Sequence, residues 1–61
     1  MSLVTEMSVL MAERAAGRAA DAAQDVVALL AQGRSGEALD AIEEVRRHLN
    51  ATQTQLERSL D

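Results

Sequence analysis

The chain has 61 residues, of which 10 are acidic and 6 are Lys or Arg, so its formal net charge at pH 7 is −4. It contains no aromatic residue, no cysteine and no proline. Disulfides and cysteine–zinc staples are therefore excluded, and a chain of this size buries only ~60% of its unfolded surface when it folds alone. We expect one domain over residues 1–61 that is stabilised by assembly, with copies of itself or with another protein.

The first predicted element is a long helix over about residues 3–32. This stretch is rich in alanine, the strongest helix former, and lacks proline. Its apolar residues recur at alternating spacings of three and four, which is the heptad period of packed helices. The predicted core seam consists of Val9, Ala12, Ala16, Ala19, Ala23, Val26 and Leu30.

A turn is predicted at residues 33–35. Gly33 suits the left-handed position that ends a helix, and Ser35 suits the N-cap of the next helix. Glu37 then falls in the first turn of that helix, where the helix dipole favours a negative charge. Because the connection is so short, the two helices should be antiparallel neighbours.

The second predicted helix covers about residues 36–59. Its heptad seam is Ala38, Ile42, Val45, Leu49, Thr52 and Leu56. If the chain folds back at the turn, most large residues of one seam face small residues of the other; Leu49, for example, faces Ala19. The sequence therefore predicts an all-α fold, an antiparallel helical hairpin.

Helix 1 carries more apolar residues than one neighbour can cover. Leu3, Val4 and Met7 overhang the predicted hairpin, and the apolar arc spans about half the circumference, wider than the ~100° stripe of a single contact. We therefore predict that two hairpins form a homodimeric four-helix bundle, or that a heterologous protein covers this surface. The predicted partner or oligomer interface is Leu3, Val4, Met7, Leu10, Met11, Ala15, Ala22 and Leu29.

Few residues of the chain could support catalysis or bind a metal. His48 is the only histidine, and Glu44 one turn earlier predicts an ordinary helix-surface pair. The spacing Glu-x-x-x-His differs from the Glu-x-x-His of carboxylate-bridged di-iron bundles, and the predicted interior contains no carboxylate. The sequence predicts no enzyme activity, no cofactor and no metal site.

The other charged residues indicate a solvated surface. Glu43 with Arg46, Glu44 with Arg47, and Arg18 with Asp21 have the spacing of weak helix-surface pairs.

Arg14 and Arg18 also form a small basic spot on helix 1 of an acidic chain. A hairpin of about this length that dimerises into a bundle resembles the plasmid RNA-binding protein Rop, whose first helices form an RNA-facing surface. The resemblance covers the overall layout alone, and it implies RNA contact through Arg14 and Arg18 as an alternative function. The absence of aromatic residues that could stack on bases, and the net negative charge, weigh against nucleic-acid binding.

Targeting features are few. No segment approaches the ~20 apolar residues needed to cross a bilayer, and the first residues lack the basic region of a secretory signal. We expect a cytoplasmic protein without membrane contact. Thr52, at a core position, either bonds to its own backbone or fixes helix register.

The favoured function is a small non-enzymatic protein–protein interaction module, acting as an adaptor, antagonist or docking element. The alternatives are the RNA-binding regulator and a purely structural oligomerisation domain.

Overall fold

The computed structural model describes residues 3–60 and consists of two helices. α1 spans Leu3–Ala31 and α2 spans Ser35–Leu60, and the two pack against each other in a hairpin with Cα extents of 47 × 13 × 9 Å. The predicted all-α helical hairpin is confirmed, with helix ends within one residue of those expected. The predicted single domain also includes residues 1, 2 and 61, which lie outside the described residues.

Gly33 ends α1 in the left-handed conformation, with φ of 70°. Its N–H donates to the Leu30 carbonyl at 3.0 Å, and the Arg34 N–H donates to the Leu29 carbonyl at 2.9 Å. These two bonds form a Schellman motif, which satisfies carbonyls that the end of a helix otherwise leaves free. The predicted role of Gly33 is therefore confirmed.

Arg34, rather than the predicted Ser35, is the N-cap of α2. The first hydrogen bond of α2 runs from the Ala38 N–H to the Arg34 carbonyl at 3.0 Å, which places Ser35 inside the helix. The Arg34 guanidinium forms an ion pair with Glu37 and donates to Gln32 Oε1 at 2.9 Å. The Arg34 side chain thus links Gln32, in the turn, to Glu37 in the first turn of α2.

We expect Gly33→Ala to lower the free energy of unfolding by about 1–2 kcal/mol, because a Cβ disfavours the left-handed conformation. Gly17→Ala is the matched control: Gly17 lies inside α1, and a Cβ there meets nothing within 4 Å. That change should stabilise the protein by about 0.5–1 kcal/mol. Urea denaturation at one protein concentration measures both, and equal signs for the two variants would contradict the assigned role of Gly33.

The two helices meet along seams of small residues that only partly match the predicted seams. On α1, Ala12, Ala15 and Ala19 are at most 5% exposed, whereas Val9 and Leu30 are exposed. The buried and half-buried residues of α1 are Thr5, Ser8, Ala12, Ala15, Ala19, Ala22, Val26 and Leu29. Those of α2 are Ala38, Ala41, Ile42, Val45, His48, Thr52, Gln55 and Ser59.

The predicted placement of Val9, Ala16, Ala23 and Leu30 in the hairpin core is therefore wrong, as is that of Leu49 and Leu56, because all six are exposed. The physical reason lies in helix spacing. The axes of packed helices lie about 8–10 Å apart, and the lower end of that range requires small side chains at the contact. Alanine and serine permit this close approach, and every buried hydrophobic residue among those described is alanine. Most of the larger apolar side chains are turned to the outside.

The polar residues on the α2 seam are accommodated locally. Thr52 Oγ1 donates to the His48 carbonyl at 2.8 Å, which confirms the backbone bond that was one of its two interpretations. Between residues 3 and 60, no buried side-chain nitrogen or oxygen lacks a hydrogen-bond partner. A register-fixing role for Thr52 stays a prediction.

Candidate protein-interaction surfaces

Six of the twelve exposed large hydrophobic side chains between residues 3 and 60, together with alanines and the half-buried Ile42, lie on one face of the hairpin. On each helix they occupy positions beside the buried seam, again at heptad spacing. Antiparallel helices turn matching edges of their seams to the same side, so the two rows form one surface. This long apolar face consists of Val9, Ala16, Ala20, Ala23, Val27 and Leu30 on α1, with Leu39, Ile42, Leu49 and Leu56 on α2.

None of these ten residues is charged, but two charged residues share their heptad positions: Glu13 precedes Ala20 by seven residues, and Arg46 follows Leu39 by seven. Arg46 lies between Ile42 and Leu49 on the surface of α2, since it is four residues after one and three before the other. Its Nη1 lies 3.6 Å from Glu43 Oε1, and both side chains are well exposed. The guanidinium is therefore drawn toward solvent, and the predicted Glu43–Arg46 pair is confirmed.

A second apolar surface lies on the opposite face, because Val4 and Met11 occupy the other edge of the α1 seam. It is an open cleft of about 390 Å³ near the start of α1 and the end of α2. We call it the N-terminal cleft; its lining residues are Leu3, Val4, Met7, Ser8, Met11, Gln55 and Arg58. Arg58 is the only charged residue of the lining, and it forms no ion pair with any described residue.

The predicted interface residues fall into three places. Leu3, Val4, Met7 and Met11 line the N-terminal cleft, whereas Leu10 is 41% exposed and lies outside its lining. The remaining three, Ala15, Ala22 and Leu29, lie on the α1 seam that faces α2.

The predicted overhang at the start of α1 is shorter than expected. Ser8 is buried and Thr5 is half-buried, so the α1 seam continues almost to the beginning of the described chain.

A polar groove of about 290 Å³ continues along the same face as the cleft. It is lined by Arg18, Asp21, Ala22, Asp25, Glu44 and His48. His48 Nε2 lies 3.8 Å from Glu44 Oε2, and Arg47 Nη1 lies 2.9 Å from Glu44 Oε1, which confirms both predicted pairs. The predicted Arg18–Asp21 pair is wrong, because Arg18 forms no ion pair with a described residue.

Arg14 does not line this groove, so the structure does not combine the two predicted arginines into one pocket. Carboxylates surround Arg18 in the groove. Over residues 3–60, no group of three or more His, Asp or Glu side chains is arranged to hold a metal ion.

The long apolar face was not recognised from the sequence, although its signal is present. Val9, Ala16, Ala23 and Leu30 are spaced by seven residues, and so are Ile42, Leu49 and Leu56. These rows were assigned to the interior of one hairpin. A second heptad row beside each seam indicates instead that each helix has two neighbours.

Comparisons with known proteins found no matching family model, no matching curated protein and no matching solved structure. Within residues 3–60, neither helix combines the length and apolar character needed to span a membrane. What the structure defines is a two-helix hairpin with one long apolar face and one separate apolar cleft.

Proposed function

We propose that the protein is a small non-enzymatic protein–protein interaction module, built as a homodimeric four-helix bundle. In this proposal each hairpin holds an amphipathic segment of a partner protein in its N-terminal cleft. The observation that carries the proposal is the cleft itself, in which exposed leucine, valine and methionine side chains lie beside Arg58, a cation that forms no ion pair within residues 3–60.

The composition of the cleft favours a helical or extended segment with apolar side chains. Met7 and Met11 are flexible, and thioether side chains adapt to partner surfaces of different shape. Arg58 adds a polar requirement, because its guanidinium can bind a carboxylate through charge-assisted hydrogen bonds. The partner segment therefore carries an Asp or Glu next to its apolar residues.

RNA binding fits this surface less well. Arg18 shares its groove with Asp21, Asp25 and Glu44, whose charges oppose a phosphate. The described chain also offers no aromatic side chain on which a base could stack. A purely structural oligomerisation domain would leave the N-terminal cleft without a role.

The test compares Met7→Asp and Arg58→Glu with Leu10→Asp in affinity capture from cells, followed by identification of the bound proteins. Leu10 is the matched control because it is an exposed apolar residue of α1 outside the cleft lining. We expect one protein to bind the unchanged chain and Leu10→Asp, and to be lost from Met7→Asp. Arg58→Glu should weaken that binding about tenfold or more, since a hydrogen bond to a charged group contributes about 1.5–3 kcal/mol.

Two further measurements assign the loss to the cleft. Light scattering should show the same oligomeric state for Met7→Asp as for the unchanged chain. A synthetic peptide of the identified segment, with its acidic residue changed to Lys, should regain affinity for Arg58→Glu. Equal capture by all variants, or a loss of capture by Leu10→Asp as well, would contradict the proposal.

A further inference from the structure

We infer that the long apolar face is the interface with a second copy of this chain, and that the two-fold axis of the dimer runs parallel to the helices. Both turns then lie at the same end of the bundle. This inference deepens the homodimer part of the proposed function. It leaves the N-terminal cleft, on the opposite face, open in both copies.

The extent of the face supports a stable interface. Its Cα outline, 47 Å long and 13 Å wide, projects to roughly 600 Å² before side chains are added, against the ~800 Å² per partner of a standard interface. Between residues 3 and 60 every fully buried hydrophobic residue is alanine, and the larger seam residues Val26, Leu29, Ile42 and Val45 are only half-buried, so the hairpin needs such an interface.

The occupant of the face is a second copy of the chain, because the α1 half and the α2 half of the face are complementary in shape. Its α2 half is a ridge of large residues, including Leu39, Ile42 and Leu49. In its α1 half, the middle carries only the small side chains of Ala16, Ala20 and Ala23, and larger side chains occur only toward the ends. A two-fold axis parallel to the helices places α2 of each copy against α1 of the other. The large side chains of each α2 then pack against the small side chains of the other copy's α1.

The register of the hairpin makes this complementarity specific. Since the chain reverses at Gly33, Leu49 lies level with the segment between Ala16 and Ala20. The polar groove supports this alignment, because it brings Arg18 and Ala22 of α1 together with Glu44 and His48 of α2.

In the dimer, Leu49 of one copy therefore sits between Ala16 and Ala20 of the other. This is the knob-into-hole contact of packed helices. By the same alignment, Ile42 sits between Ala23 and Val27 of the other copy.

The other symmetric arrangement, with turns at opposite ends, places each helix against the same helix of the other copy. It brings Leu49 against Leu49 while Ala16 lies near Ala20 of the other copy. Large residues would then hold the α2 pair apart while small residues leave space between the α1 pair. Close packing of both pairs at once is lost, and protein interiors tolerate few such gaps.

The experiment measures distances between spin labels in the dimer. The chain has no native cysteine, so Ser35→Cys and Glu57→Cys each carry one label, at opposite ends of α2. With helix axes about 8–10 Å apart, turns at the same end give a distance of roughly 20–30 Å for either label. Turns at opposite ends, with Leu49 against Leu49, separate the two Ser35 labels by about 40 Å along the helices, at 1.5 Å per residue. The two Glu57 labels are then only about 25 Å apart, so the Ser35 distance is the one that distinguishes the two arrangements.

Light scattering on the unlabelled chain accompanies these distances. A dimer with the shorter distance at Ser35 supports the inference. A monomer, a higher oligomer, or a dimer with the longer distance overturns it. Capture of the partner protein by the cleft is measured on Met7→Asp, so failure of this inference and failure of the proposed cleft function give different results.

Discussion

Leu49→Glu is expected to abolish the dimer and to remove most of the helical signal at micromolar protein concentration. Leu49 lies near the middle of the long apolar face and is 51% exposed in a single chain. Burying a leucine contributes about 1.5–3 kcal/mol, so the two copies lose about 3–6 kcal/mol before the carboxylate is considered. Small domains have only about 5–15 kcal/mol of stability, and the buried charges increase the loss further.

Leu10→Glu makes the same chemical change at a leucine of similar exposure, 41%, on the outer surface of α1. We expect it to remain a folded dimer. Circular dichroism and light scattering on both variants, over a range of concentrations, provide the measurement. If Leu10→Glu dissociates while Leu49→Glu stays dimeric, the interface lies at the start of α1 and the long apolar face is not involved.

The fold was predictable because its signals are local. Gly33 is compatible with a left-handed turn that other residues resist, and proline-free, alanine-rich segments on both sides favour helix. Those features were enough to place two helices and their reversal to within a residue. The cap at Arg34 was not predictable from propensity, since serine is the usual residue there. The Arg34 side chain forms an ion pair with Glu37 but, having no acceptor, does not bond to a backbone N–H as a serine would.

The faces of the helices were harder to predict, for a physical reason. Each helix has two adjacent heptad rows, and hydrophobicity alone ranks the row with the larger side chains as the core. In α1 that row contains Val9 and Leu30, yet the hairpin closes on the row that contains Ser8 and Ala15. Close approach of two helices favours the smaller residues, and this preference appears only when both helices are considered together.

The position of the N-terminal cleft follows from the orientation of each helix about its own axis. With the alanine row turned inward, Val4 and Met11 move to one edge of the seam, while Val9 and Leu49 lie on the other. A bundle closed on the long apolar face therefore exposes two clefts at the end away from the turns, one on each side. Two linked sites near one another can engage a partner with two segments more tightly than either site alone.

The arrangement of the dimer also predicts how substitutions combine. Leu49→Ala should lower the free energy of unfolding by about 2–5 kcal/mol per site, because it leaves a cavity above Ala16 and Ala20 of the other copy. Ala20→Leu should cost about 1–3 kcal/mol per site, because it overfills the same contact. When both changes are made, the new leucine occupies the space that the old one leaves. We therefore expect the double variant to be more stable than the sum of the single effects by at least about 1 kcal/mol per site.

Ala20→Leu combined with Leu39→Ala provides the control, because Leu39 lies near the turn and level with Val27, beyond contact with Ala20. Substitutions separated by more than about 7–10 Å normally add, so this pair should show no coupling. Urea denaturation of all variants at one protein concentration measures both cycles. Within a single chain, Ala20 lies on the side of Ala16 away from α2, so coupling to Leu49 has to arise between copies. Additive effects for Ala20 and Leu49 would therefore contradict the dimer with both turns at one end, even if the chain proves to be a dimer.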